Sequence, residues 1–134
     1  MDAARAWVEA WRLGWRTHDV KPIAARYAAG AVFRSHPFRE PEDPRTYVER
    51  VFAEEEAEPE IWFGEPVVCE DRAAVEYWAI LRVDGNEQTL AGTTLLRFNS
   101  DGLVIEHRDY WAVEDGRRPR NDEGPARAGP SQHC

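Results

Sequence analysis

The chain has 134 residues, of which 43% are hydrophobic and six are tryptophan, and its formal net charge is -8. This length suits one domain with its own core, and the hydrophobic content is too high for a disordered chain. The negative charge disfavours nucleic acid or an anionic membrane as a partner, because both require a basic patch. The sequence lacks an apolar run of about 18 residues, so it predicts no membrane span. Its N-terminus reads as an amphipathic helix and not as a secretion signal, and we therefore expect a cytoplasmic protein.

The first 17 residues predict a helix that carries a ridge of tryptophans. Trp7, Trp11 and Trp15 recur every four residues, and Asp2 stands where an N-cap is expected. A ridge this large needs a concave partner, such as a curved sheet. Trp15 lies near the end of the predicted helix, where its indole N–H could reach into a cavity.

Two more helices and a short strand are predicted before the chain changes character. Asp19 is expected to cap a second helix that runs to Ala28, and residues 31–35 read as a strand. Residues 44–56 read as a third helix that starts with proline at its first position. The three glutamates at 54–56 lie at its C-terminal end, where the helix dipole disfavours acidic side chains. We therefore interpret them as a solvated, fraying end and not as a metal site.

The remainder of the domain is predicted to consist of strands. These lie at residues 60–69, read as one strand with an interruption at 64–66, and at residues 73–83, 87–98 and 102–113. Helices followed by long antiparallel strands make an α+β fold, with a curved, mostly antiparallel sheet wrapped around the N-terminal helices. The composition changes after Gly116. Residues 1–116 are therefore predicted to form the domain, and residues 117–134 a flexible C-terminal tail.

The last predicted strand places polar groups among apolar ones. Because residues two apart share a face of a strand, one face carries an imidazole and a carboxylate beside apolar side chains. The members of this face are Leu103, Ile105, His107, Asp109 and Trp111. Polar groups on an apolar face destabilise the fold unless they are paired, so His107 and Asp109 are candidates for a general acid and base. In the alternative, His107 is a satisfied wall histidine and Asp109 pairs with an arginine such as Arg97 or Arg34.

A second carboxylate candidate lies on the long strand at residues 73–83. Glu76 and Trp78 share one face of this strand. If that face points inward, Glu76 is a second catalytic carboxylate and Trp78 lines the pocket. If it points outward, Trp78 is a dimer contact and Glu76 is solvated. The two faces are about equally apolar, so both alternatives stay open.

The order of the elements and several short segments resemble the nuclear transport factor 2-like superfamily, and within it the SnoaL-like (polyketide cyclase-like) group. The segments that carry this resemblance are residues 11–19, 27, 31–33, 75–78, 95–98, 101–102 and 107–111. The resemblance implies a cone-shaped α+β barrel, open at one end into an apolar pocket, and frequent homodimers through the outer face of the sheet. Relatives include polyketide cyclases, ketosteroid isomerase and limonene epoxide hydrolase, together with many proteins that are not enzymes.

The resemblance also implies which residues surround the pocket. Arg34, His36 and Phe38 fall in the region that forms the rim. The tryptophans expected in the pocket are Trp15, Trp62, Trp78 and Trp111.

The three chemistries of the superfamily fit the chain unequally. The epoxide hydrolase pattern needs Arg-x-Asp, but here Asp84 of Arg82-Val-Asp84 opens a hairpin turn and should be exposed. The isomerase pattern needs a tyrosine on the first helix, where this chain has Trp15. The cyclase pattern, with a histidine and an aspartate in an apolar pocket, fits best.

Two functions follow from these observations. The first is cofactor-free acid/base chemistry of the cyclase or isomerase type on a small apolar molecule, carried out by His107 and Asp109. The second is a non-catalytic module that binds a ligand or dimerises. Neither needs a metal or a cofactor, because no two histidines stand at ligand spacing and no phosphate-binding loop is present in the sequence.

Overall fold

The computed structural model describes residues 2–121, which form three helices packed on one sheet. The helices are α1 (Ala3–Thr17), α2 (Val20–Ala24) and α3 (Pro44–Glu54). Each begins at an aspartate whose carboxylate accepts a backbone N–H of the first turn, which satisfies a donor that the helix itself cannot pair. The predicted helices are confirmed, except that α2 ends at Ala24 and not at Ala28, and α3 ends at Glu54 and not at residue 56.

The strands are β1 (Tyr27–Arg34), β2 (Glu60–Phe63), β3 (Val67–Cys69), β4 (Arg72–Val83), β5 (Asn86–Phe98) and β6 (Val104–Asp115). Their order in the sheet is β1-β6-β5-β4-β2, and β3 also pairs with β4. The β1–β6 pair is parallel and the other pairs are antiparallel. The predicted α+β architecture is therefore confirmed. Within the described residues the curved sheet is mixed and does not close into a barrel.

β1 starts earlier than the sequence pattern predicts. Tyr27 already pairs with Val104, and the register of β1 against β6 shifts between Tyr27 and Val32. Gly30 lies in this irregular stretch with a φ of 77°, a conformation that glycine adopts without the steric penalty of a side chain. Pairing with a strand far along the chain thus overrides the local helical pattern, and it brings Tyr27 beneath α1.

The two faces of the sheet differ clearly along β4. Ala73, Val75, Tyr77 and Ala79 are buried on the inner face, where the α1 tryptophans pack against them as parts of one core. Glu76 and its neighbours on the other face point outward. The structure thus answers the question that the sequence left open about this strand.

A β-bulge alters the start of β6. The register between β5 and β6 shifts between Arg97 and Phe98, so that Phe98 pairs with Val104. Val104 is therefore buried and Ile105 is exposed. The prediction that Ile105 shares a face with His107 is wrong, because an extra residue in a bulge reverses the alternation on one side of it. Beyond the bulge the predicted alternation holds.

The chain continues after β6 as a short segment on the outer face, which we call the C-terminal strap (residues 116–120). Arg117 forms ion pairs with Glu60 and Glu87, and Arg118 O accepts the indole N–H of Trp78 at 2.8 Å. The Arg120 guanidinium lies 3.8 Å from the ring centre of Trp62. The folded part of the chain thus extends past Gly116, and the rest of the predicted tail, residues 122–134, lies outside the described residues.

Candidate active site

A cavity of about 440 Å³ lies between α1, α3 and the inner face of the sheet. Its volume is in the range of small-molecule sites. Most of its wall is aromatic, contributed by Trp7, Trp11, Trp15, Trp111, Tyr47, Tyr77, Phe52 and Phe63. The polar side chains that reach it include His107, Asp109, Thr94 and Glu55. The arrangement is an apolar chamber with a small number of fixed polar groups.

His107 is held in one tautomer by a chain of hydrogen bonds. Tyr27 Oη accepts the indole N–H of Trp7 at 3.0 Å and that of Trp11 at 3.1 Å. Both acceptor positions of this hydroxyl are then occupied, so its own hydrogen is donated to His107 Nδ1, 2.8 Å away. Because Nδ1 accepts this hydrogen bond, the ring is neutral and carries its hydrogen on Nε2.

The Nε2–H group of His107 is a buried donor without an aligned acceptor. The side chain is 1% exposed, and Nε2 has no hydrogen-bond partner among the described residues. Asp109 Oδ2 is 3.1 Å from Nε2, but the N–H does not point along this line. The structure therefore places a neutral donor and a carboxylate oxygen side by side on the cavity wall, as a buried group that a ligand acceptor would satisfy.

Asp109 is bound by a neutral donor. Thr94 Oγ1 donates to Asp109 Oδ1, and the charge of this carboxylate acts on the neighbouring Tyr77. Arg34 instead donates to the carbonyl of Arg39, so the arginine pairing considered for Asp109 is not the one observed. Burial, together with the negative charge of Asp109, raises the pKa of Tyr27 and of Tyr77. Both hydroxyls therefore stay protonated at neutral pH, and that of Tyr27 bonds to His107.

The other predicted pocket residues divide into two groups. Trp15 and Trp111 line the cavity. Trp62 and Trp78 form a cross-strand pair on the outer face, beneath the C-terminal strap. Glu76 is exposed on this same outer face, so it does not reach His107 and Asp109.

The predicted rim residues lie outside the cavity wall. Phe38 is 92% exposed. His36 packs on Trp111 with a ring-centre distance of 4.8 Å, so it contacts a lining residue but does not line the cavity itself. Arg34 donates to the backbone of the same loop. Arg39, which follows these residues in the same loop, does line the cavity, and its guanidinium lies 5.3 Å from the ring centre of Trp111.

Glu55 forms a second polar group on the cavity wall, next to the end of α3. Its side chain is 2% exposed, and it accepts the Trp15 indole N–H at 3.0 and 3.1 Å. His18 Nε2 lies 2.9 Å from Glu55 Oε1. Burial raises the pKa of Glu55, while the hydrogen bonds from His18 and Trp15 lower it. The interpretation of residues 54–56 as a solvated end is therefore wrong for Glu55.

Sequence reasoning missed Tyr27, Thr94 and Glu55. Two of them left a usable signal. Glu55 continues the buried stripe of Val48 and Phe52 at helical spacing. Thr94 is the cross-strand partner of Asp109, which follows from counting back along the β5–β6 hairpin. Tyr27 left none, because the sequence placed it on a helix.

The described part of the chain has neither a metal cluster nor a membrane helix. No group of three or more His, Cys, Asp or Glu side chains in residues 2–121 could hold a metal ion. No helix among these residues is long and apolar enough to cross a membrane.

Solved structures with this fold include enzymes of several kinds. An epoxide hydrolase/cyclase-like enzyme, SalBIII, described in pyran ring formation in the polyether salinomycin, has a TM-score of 0.71 at 14% identity, with 85% of this chain and 95% of that one covered. The Δ5-3-ketosteroid isomerase from Mycobacterium sp. has a TM-score of 0.69 at 12% identity, covering 87% and 100%. An LEH-like epoxide hydrolase of M. tuberculosis has a TM-score of 0.66 at 17% identity, covering 82% of each chain.

These identities are low, so the likenesses establish the fold and leave the reaction open. A comparison with curated proteins found no match. A family model for the SnoaL-like domain matches residues 4–107, which span α1 to the His107 position of β6. The chain therefore belongs to the SnoaL-like family of the nuclear transport factor 2-like superfamily.

Proposed function

We propose that the protein catalyses cofactor-free proton transfer on a small apolar carbonyl compound, in the manner of a cyclase or isomerase. The observation that carries the proposal is the buried Nε2–H of His107, which lacks an aligned acceptor and lies 3.1 Å from Asp109 Oδ2. A substrate carbonyl oxygen would satisfy this donor. The hydrogen on the adjacent carbon would then lie within reach of the carboxylate.

In this mechanism Asp109 is the base and His107 is the electrophile. Asp109 takes a proton from the carbon next to the carbonyl, and the electron pair of that C–H bond moves to the carbonyl oxygen. The neutral His107 Nε2–H stabilises the resulting enolate by a hydrogen bond in a chamber of low polarity. In a substrate with a double bond conjugated to the enolate, return of the proton from Asp109 to the far carbon of that system gives an isomer. In a substrate with a second carbonyl, the enolate carbon attacks that carbonyl carbon, its C=O electron pair moves to oxygen, and the resulting alkoxide takes the proton from Asp109 as the ring closes.

Tyr27 is a positioning residue in this mechanism. By donating to Nδ1 it keeps the hydrogen of His107 on the nitrogen that faces Asp109. The indole donors of Trp7 and Trp11 fix the direction of the hydroxyl in turn. The tautomer needed by the reaction is thus set by the core of the protein before substrate binds.

The test is exchange of the acidic hydrogens of 1-tetralone for deuterium in D₂O, followed by NMR. The wild-type protein should accelerate the exchange above the buffer rate. Asp109→Asn should lower the enzymatic rate by about a hundredfold or more, the effect expected for loss of a general base. Glu76→Gln is the matched control, because it removes a carboxylate from the outer face of the same sheet, and it should leave the rate unchanged. Undiminished exchange with Asp109→Asn contradicts the proposed role of this residue.

A homodimer is a second part of the proposal. Leu95 and Tyr110 are exposed on the outer face, away from the tryptophans that the C-terminal strap covers. We infer that a second copy of the chain docks on this apolar area. We also propose that the protein is cytoplasmic. Sedimentation velocity would show a dimer for the wild-type protein and a monomer for Leu95→Glu, and a wild-type monomer would exclude it.

A further inference from the structure

Glu55 is a buried carboxylate on the cavity wall that the proposed proton transfer does not use. It is the C-cap of α3, a position where the helix dipole disfavours negative charge. Burial also disfavours the charged form of this carboxylate, and the hydrogen bonds from His18 and Trp15 offset that effect only in part. An acid in this position, lining a ligand-sized cavity, suggests a role in binding.

The two carboxylates of the cavity act at separate points. Asp109 is bound by Thr94, and Glu55 by Trp15 and His18. These two sets of partners have no member in common among the described residues. The rings of Trp15, which binds Glu55, and of Tyr77, on which the charge of Asp109 acts, have centres 6.4 Å apart. A ligand lying along these two rings would extend from one carboxylate towards the other.

One oxygen of Glu55 has capacity for another donor. Oε1 accepts from Trp15 and lies 2.9 Å from His18 Nε2. The same Trp15 N–H also lies 3.1 Å from Oε2, so this one donor is shared between the two oxygens and is the one hydrogen bond described for Oε2. Because a carboxylate oxygen accepts two hydrogen bonds, Oε2 can take a ligand N–H.

Two carboxylates, those of Asp109 and Glu55, lie on the inner wall of the cavity, whereas the arginines that line it are exposed to solvent. The donor to Asp109, Thr94, is neutral, and His107 is held as the neutral tautomer. The lining arginines, Arg39 and Arg50, are exposed, and Arg50 is paired with Glu42 at 3.0 Å. Two titratable groups act on Glu55: His18, which is one-quarter exposed, and the exposed Glu54. The interior of the chamber thus combines carboxylates with aromatic faces, a combination that attracts cations.

We infer that the ligand of this cavity carries a protonated amine, which Glu55 binds while the aromatic wall surrounds it. The inference rests on the proposed function for the reacting end of the molecule, and it adds the substrate class: an apolar carbonyl compound with a basic amine. The ammonium N–H donates to Glu55 Oε2. The rings of Trp15 and Phe52, which flank the Glu55–His18 pair, contribute cation–π attraction.

The experiment compares two probes with the same bicyclic skeleton, measured by isothermal titration calorimetry. 2-Aminotetralin is a cation at neutral pH, and 2-tetralol is its neutral counterpart. The wild-type protein should bind the amine at least about tenfold more tightly than the alcohol, the factor expected from one charge-assisted hydrogen bond. Glu55→Gln should remove this preference and keep the affinity for 2-tetralol. Glu49→Gln is the matched control, since Glu49 is an exposed carboxylate of the same helix that does not line the cavity, and it should keep the preference.

Two results would overturn the inference. One is equal affinity of the wild-type protein for both probes, and the other is a similar loss for both probes in Glu55→Gln. If Glu55→Gln does not fold, the indole N–H signal of Trp15 in the wild-type protein gives the answer by NMR. It should move on addition of 2-aminotetralin and stay in place with 2-tetralol, and the same movement with both would reject amine binding.

The outcome is independent of the proposed reaction. The deuterium exchange of 1-tetralone, which has no amine, reports on Asp109. If the protein accelerates deuterium exchange but binds the amine and the alcohol equally, the proposed function stands and the inference about the amine is wrong. If the protein prefers the amine, Glu55→Gln abolishes that preference and no exchange is seen, the inference stands and the proposed function is wrong.

Discussion

The two ends of the cavity hold their carboxylates in different ways. Asp109 sits in the middle of a strand, where the regular register of β5 and β6 brings Thr94 opposite it. Glu55 sits just past the end of a helix, and its partners Trp15 and His18 come from the end of α1. At the Asp109 end the sheet fixes the geometry, while at the Glu55 end it depends on how two helices meet. A carboxylate on a strand is therefore visible in the periodicity of the sequence, and one at a helix junction is much less so.

The largest effect is expected from Tyr27→Phe, which removes the hydroxyl that organises the Asp109 end. Three polar groups lose their partner: the indoles of Trp7 and Trp11 and the Nδ1 of His107. With about 1 kcal/mol or more for each buried group left unpaired, the free energy of unfolding should fall by about 3 kcal/mol. Urea denaturation measures this. Tyr110→Phe is the control, because Tyr110 is 43% exposed on the outer face, and it should change stability by less than about 0.5 kcal/mol.

If Tyr27→Phe lowers the free energy of unfolding as little as Tyr110→Phe does, the hydrogen-bond chain through Tyr27 does not stabilise the fold. The proposed difference between the Asp109 end and the Glu55 end of the cavity would then be wrong at the Asp109 end.

A smaller effect is expected from Thr94→Val, which keeps the shape of the side chain and removes one donor to Asp109. Thr94 is almost fully buried, so the loss should be about 1 kcal/mol in the free energy of unfolding. Thr93→Val makes the same replacement on the opposite face, and it should have little effect in the same urea titration. Equal effects of the two variants would mean that the bond to Asp109 adds nothing beyond the packing.

The smallest effect is expected from pH at the Glu55 end. Burial raises the pKa of Glu55 above its ordinary 4.5, and the bonds from His18 and Trp15 oppose this. A folded-state pKa above the unfolded one means that stability is greatest when the group is protonated in both states, and it declines as pH rises through the folded value. Between about pH 4 and about pH 7 the wild-type protein should therefore lose stability relative to Glu55→Gln. The opposite slope would show that His18 and Trp15 outweigh burial.

Much of the fold and part of the site could be predicted from the sequence, for physical reasons that differ along the chain. The shared face of His107 and Asp109 follows from the two-residue period of a strand, which held on the C-terminal side of the bulge. The same two-residue period failed at Ile105, because a bulge is set by pairing with the neighbouring strand and does not show in the alternation of apolar and polar residues along the sequence. Tyr27 was placed on a helix since its local pattern is helical, and only its pairing with Val104 makes it a strand residue. Glu55 was judged by its charge, although its spacing from Val48 and Phe52 pointed inward.

The six tryptophans fall into two groups that fluorescence can separate. Trp7, Trp11, Trp15 and Trp111 surround the cavity, and Trp62 and Trp78 lie under the C-terminal strap on the opposite face. The emission of the native protein is therefore a sum of two signals, one sensitive to what enters the chamber and one to whether the strap stays docked. Replacing Trp62 and Trp78 by phenylalanine would leave an intrinsic optical probe for ligands alone. Shortening the chain at Gly116 should instead shift the emission of the outer pair towards that of indole in water.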